Sequence, residues 1–92
     1  MAEHMIRVVG TAFGAFPPGT PTLLVSGFDP DAKAGFGAIS MTNDPDLALR
    51  FPSVGEATEF YRRQSKTRPF RPDGEPNRPM TAFSIEVLLA AF

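Results

Sequence analysis

Apolar and polar residues alternate with two different periods along the chain. From Met5 to Phe13, β-branched residues cluster (Ile6, Val8, Val9, Thr11) and predict a strand. Gly10 inside it marks a bulge or a close backbone approach. Thr22 to Phe28 predicts a second strand, apolar on both faces at Leu23-Leu24-Val25 and therefore central. Gly37 to Thr42 predicts a third, with Ile39 and Met41 on one face. Met80 to about Val87 predicts the last, because Phe83, Ile85 and Val87 alternate with Ala82, Ser84 and Glu86. Leu88 to Phe92 is apolar to the end and either continues that strand or forms a contact patch.

The helical period occurs once at length. Ser53-Val54-Gly55-Glu56 has the spacing of a capping box, and a helix is expected from Val54 to about Gln64 or Ser65. Val54, Ala57, Tyr61 and Gln64 form its apolar stripe, with Phe60 beside it. Glu56 and Glu59 early and Arg62 and Arg63 late would complement the helix dipole. Asn43-Asp44-Pro45 reads as the start of a single helical turn that Pro52 limits. The order β-β-β-α-β predicts an α+β fold. It is an antiparallel sheet of about four strands with one main helix packed on one face. The opposite face is left to solvent, loops or a second copy.

Turn chemistry fills the intervals. Asp29 to Gly35 combines Asx residues, proline and glycine. Phe13 to Pro21 holds three prolines and is expected to stay an unpaired loop. Arg71-Pro72-Asp73-Gly74 fits a type I turn inside an open stretch from Lys66 to Pro79.

With 92 residues, the chain makes one small domain. His4-Met5 is the pair that a common cloning site encodes, so residues 1–4 read as a cloning remnant and 5–92 as the domain. The sequence has no cysteine and one histidine, which removes Ser-His-Asp and Cys-His catalysis and thiolate zinc sites. Glu56 and Glu59 serve the helix start better than acid–base work. Asp29 to Lys33 opens like a calcium loop, but a lysine and Ser40 occupy ligand places. Gly35-Phe36-Gly37 lacks the following helix and lysine of a nucleotide loop. A non-enzymatic protein with no metal and no cofactor is therefore expected. No apolar run approaches the ~20 residues of a membrane span, and no leader pattern opens the chain, so a cytoplasmic place is expected.

Charge changes the picture more. The formal total of −1 conceals two opposed regions. Residues 29–59 carry two basic against six acidic side chains, and residues 62–78 six basic against two acidic. Five of those six are arginines, suited to bidentate contact with carboxylate or phosphate. Three readings of the segment stand open. Its arginines anchor the loop to the acidic half, or meet an acidic protein surface, or bind nucleic acid with Phe70 stacking between Arg68 and Arg71. A net charge near zero weakens the last. The PxxP spacings of Pro69/Pro72 and Pro76/Pro79 are common by chance. Phe16 in the first loop is a second candidate, tucked over the sheet in the favoured reading or presented to a partner.

From Asp29 to Glu86 the chain resembles a group of small proteins of bacterial genomes and prophages that has no assigned activity. The residues that carry the likeness are Phe28-Asp29-Pro30-Asp31, Asp44-Pro45 with Ala48 to Phe51, and above all Arg68-Pro69-Phe70-Arg71-Pro72-Asp73-Gly74-Glu75-Pro76-Asn77-Arg78-Pro79-Met80-Thr81-Ala82-Phe83. The resemblance implies a mobile-element setting. Small proteins of that setting often bind host machinery, as inhibitors of CRISPR immunity do. The expected function is thus an interaction module that occludes a surface of a host protein or complex. Arg62, Arg63, Lys66, Arg68, Phe70, Arg71, Arg78 and Phe16 are its candidate contacts. The alternatives are a nucleic-acid-binding regulator using the same arginines, and a self-associating phage structural component using Phe16 and the apolar C-terminus.

Overall fold

Strand β1 (Glu3–Thr11) is the axis of the sheet. In this computed structural model, which describes residues 3–90, it lies between neighbours on both edges. Along one edge runs β5 (Phe83–Ala90), paired antiparallel from Glu3↔Ala90 to Thr11↔Phe83. Along the other lie β2 (Gly14–Ala15) and β3 (Leu23–Asp29), and β3 pairs in turn with β4 (Ala38–Thr42). The fold is α+β, a five-stranded antiparallel sheet with one main helix.

The strand beyond the expected four is β2. It forms at the start of the loop, ahead of the prolines, where Gly14 and Ala15 have amide donors to offer. Gly10 makes its approach possible. A Cβ there would lie 2.5 Å from the Gly14 carbonyl oxygen and 2.8 Å from the Ala15 Cα. The pairing of β1 with β5 also slips between Val8 and Gly10, the bulge that the glycine announced. β1 begins two residues before Met5, since Glu3 and His4 pair with β5; Met1 and Ala2 lie outside the described residues.

The pleat divides the core. Ile6, Val8 and Val25 point to the face that receives the helix, where Ile85, Val87 and Phe28 pack beside them. Met5, Leu24 and Ala90 point to the other face, under Ala48. The segment after β4 reaches this cluster through Ala48 and is tied to the strands by the Leu49 N–H to the Val25 carbonyl (2.9 Å) and by reciprocal bonds between His4 and Phe51 (2.8 and 2.9 Å), while the Arg7–Glu86 pair beyond it is exposed. β5 continues through Leu88 to Ala90, and of the apolar end only Ala91 and Phe92 fall outside the described residues.

Short helical pieces complete the chain. α1 (Ala32–Gly35) is a single turn in which Lys33 and Ala34 both take left-handed backbone angles. α2 (Val54–Tyr61) starts as expected, with the Ser53 Oγ accepting the Glu56 N–H at 3.1 Å. Ala57 is fully buried, and Phe60 meets Phe28 and Phe51 at ring separations of 5.9 and 5.1 Å. Tyr61 donates from its hydroxyl to the Phe83 carbonyl at 2.6 Å, and burial raises its pKa. Val54 does not join the stripe and is about half exposed.

α2 stops at Tyr61, three or four residues before the expected end. The polar groups of the next residues are committed elsewhere, the Gln64 amide to the Pro69 carbonyl and the Ser65 N–H to the Asn77 carbonyl. Arg62 closes the helix, and Arg63 lies beyond it with its guanidinium 4.9 Å from the Phe60 ring centre. Met80, expected at the start of the last strand, sits instead in a 3-10 turn (Pro79–Ala82) with its side chain fully buried. After β4, the Asp44–Ala48 stretch makes one turn, with the Asp44 carboxylate accepting the Asp46 N–H.

Candidate functional site

The segment from Ser65 to Asn77 is folded, and short polar groups fold it. Ser65 is 1% exposed. Its hydroxyl donates to Asp31 Oδ1 (3.0 Å) and accepts the Arg68 N–H (3.1 Å). The same Asp31 oxygen accepts the N–H groups of Lys66 (2.6 Å) and Thr67 (2.8 Å). Asn77 closes the other end, its side-chain amide donating to the carbonyls of Gly35 (2.7 Å) and Arg68 (2.9 Å). Between these clamps a small hairpin forms. Arg71 and Glu75 bond at 2.8 Å, and the Gly74 N–H reaches the Arg71 carbonyl at 2.9 Å, closing the expected turn.

Arginine anchoring to the acidic half is not how the segment is held. Among the described residues, Arg71 alone of the six basic side chains of residues 62–78 joins an ion pair, with Asp73 of its own turn at 3.2 Å. The reason is distance. Gly35 lies so close beneath Arg68 that a Cβ there would meet the Arg68 Cβ at 2.4 Å. A contact that tight is bridged by backbone and short side chains, without an ion pair to the acidic half.

Asp31 has a lowered pKa. The Thr67 N–H is the main cause; partial desolvation opposes it, and the Lys66 N–H and the Ser65 hydroxyl add to the lowering. A carboxyl depressed in the folded state stabilises it fully above its unfolded pKa, and that contribution is lost as pH falls through the folded value. Protection factors at Lys66 and Thr67, corrected for the intrinsic exchange rate at each pH, should therefore fall selectively under acid, before the sheet opens. Asp31→Ala should produce the same selective loss at neutral pH, read by amide exchange in NMR. Equal protection of these two amides in the variant would show that the carboxylate does not hold the turn.

The predicted contacts end up in different places. Arg62, Arg63, Lys66, Arg68, Phe70 and Arg71 are exposed, and Arg78 is half-buried at the far end of the segment. Arg68 lies with its guanidinium 5.6 Å from the centre of the Phe36 ring, which is 73% exposed. Phe70 is exposed on the hairpin and forms a bridge to Pro76. Phe16 is tucked, half-buried against the main core, and Phe13 is the aromatic that this loop presents, 100% exposed.

Phe36, Asn77 and Asp31 belong to the site and are not among the contacts expected from the sequence. Phe36 did carry a signal, an aromatic residue set between two glycines. Both glycines have positive φ, 91° and 84°, which fixes the ring beneath the hairpin. Two grooves flank it. One, of about 290 Å³, is lined by Phe36, Arg68, Arg71, Pro72 and Asn77. The other, of about 340 Å³, shares Phe36, Arg71 and Asn77 and extends to Arg78 and Pro79. Among the described residues, no three His, Asp or Glu side chains gather as a metal site, and no helix is long and apolar enough to cross a membrane. Comparison with protein-family models, with curated proteins and with solved structures found no match.

Proposed function

We propose that this protein is a non-enzymatic interaction module that docks on an acidic surface of a larger protein partner and occludes it. One observation carries the reading: the Ser65–Asn77 segment is fixed to the body by Asp31 and Asn77, so its arginines are held out on a rigid base. Among the described residues, Arg68 joins no ion pair and Arg71 only the exposed one with Asp73 of its own turn, so both favour a carboxylate-bearing partner. A rigid loop loses little conformational freedom on binding, which raises affinity without new contacts. The mobile-element resemblance supports a host protein as the partner.

The nucleic-acid reading is second. The acidic half of the same chain, and Asp73 and Glu75 within the segment itself, would lie in the field of a polyphosphate backbone. The test is a pull-down from bacterial host extract, followed by a stoichiometry measurement of the purified complex by light scattering. R68E/R71E should weaken that complex at least tenfold, because charge reversal sets like charges against each other at the contact. An undiminished complex would place the surface elsewhere, and a salt-sensitive gel shift with oligonucleotides would favour nucleic acid.

A further inference from the structure

We infer that the two grooves beside Phe36 receive an extended peptide segment of the acidic partner, with an apolar side chain seated between carboxylates. This rests on the proposed docking through Arg68 and Arg71 and names what those arginines surround. The smaller groove is lined by Gly35, Phe36, Arg68, Arg71, Pro72 and Asn77. Both protons of the Asn77 side-chain amide are already given to the carbonyls of Gly35 and Arg68, so that amide offers the groove no free proton. Two rings and two arginine carbon stems in such a lining make a well that suits an apolar side chain and sets two cations beside it. At about 290 Å³ it lies at the lower limit of small-molecule pockets, and it suits one Phe- or Leu-sized side chain.

The second groove continues past the ring to Arg78 and Pro79, so a segment crossing Phe36 meets a further cation. In an extended segment, side chains two apart lie roughly 6.8 Å from each other on one face. That spacing lets neighbouring residues straddle a single ring. The ring stands between two glycines of positive φ, and the backbone beside it packs closely on Pro79, whose Cβ a Cβ on Gly37 would meet at 2.7 Å. Apolar wells ringed by charge are where interface energy concentrates. A nucleic-acid strand is the poorer occupant. A continuous run of phosphates would also face Asp73 and Glu75 of the same hairpin, whereas a peptide can place its acidic residues only where Arg68, Arg71 and Arg78 stand.

The test uses labelled nine-residue synthetic peptides, read by fluorescence anisotropy on the full chain. Their centre is Phe, Leu or Ala and their flanks are acidic, neutral or basic. A thymidine oligonucleotide serves as the nucleic-acid probe. Acidic peptides centred on Phe or Leu should bind at least tenfold more tightly than those centred on Ala. Phe36→Ala should reduce that ratio to about one while leaving the preference for acidic flanks. R68E/R71E should abolish the flank preference. Because Phe36 is 73% exposed, its replacement should leave the amide spectrum folded. Acidic-flank preference without apolar selection would overturn the groove and leave the docking proposal standing. No flank preference at all would overturn both, and tighter binding of the oligonucleotide would replace a protein partner with nucleic acid.

Discussion

Met80→Ala should lower the unfolding free energy by about 2–5 kcal/mol, the range for truncating a large buried apolar side chain. A chain of 92 residues commands only about 5–14 kcal/mol at ~0.05–0.15 kcal/mol per residue, so the variant should stand near its folding limit. The physical reason lies in where Met80 sits. It is fully buried in the same cluster as Ile6, Val8, Val25 and Ala57, yet it belongs to the 3-10 turn at the end of the basic segment. It is the bolt that fastens that segment to the sheet. Urea denaturation should show a lower midpoint with an unchanged slope. An unchanged midpoint would mean that the turn packs on the sheet without this side chain. Met80→Leu, which conserves volume, should lose less than about 1.5 kcal/mol.

Gly35→Ala is the second large effect, at about 3 kcal/mol or more. Two terms combine. The residue has φ of +91°, where a side chain is strained by about 1–3 kcal/mol. Its new Cβ would also fall 2.4 Å from the Arg68 Cβ and 3.4 Å from the Arg68 Cα. Relieving that overlap should lift the hairpin off Asp31, so amide protection at Lys66 and Thr67 falls together with the urea midpoint. The neighbouring substitution Ala34→Gly should act in the opposite direction. Ala34 holds a left-handed conformation (φ 57°) that glycine adopts without penalty, and a gain of up to about 1 kcal/mol is expected. Destabilisation by Ala34→Gly would show that the left-handed angle at Ala34 carries no strain for glycine to relieve.

How much of this was legible depends on the range of the signal. The Ser53 cap, the Gly10 bulge, the Arg71–Gly74 turn and the Phe83–Val87 alternation are local patterns, and each appears in the fold. The helix end was misread because α2 runs out of partners, not out of helix formers: Gln64 and Ser65 are drawn away by Pro69 and Asn77. Asp31 looked like an ordinary turn residue. Its role is set by donors 34 to 36 positions on, and a single long-range acceptor leaves no periodicity behind. Lys33 and Ala34 adopt a conformation that composition assigns to glycine and asparagine. For the site, the arginines could be read from the sequence because charge accumulates along the chain. The aromatic ring they surround could not, because Arg68 and Phe36 meet only through tertiary structure.

The clamp also separates two things that most binding loops combine. Asp31, Gly35, Ser65 and Asn77 set the shape of the hairpin; the exposed arginine side chains set its chemistry. The tip around Gly74 faces open space, with nothing within 4 Å of where a Cβ would stand. Exposed side chains between the two ends can therefore be exchanged without disturbing the four that hold it, provided that Gly74, with φ of +87°, stays glycine. In engineering terms the molecule is a display frame of 92 residues without cysteine, onto which new recognition side chains could be grafted between Arg71 and Glu75.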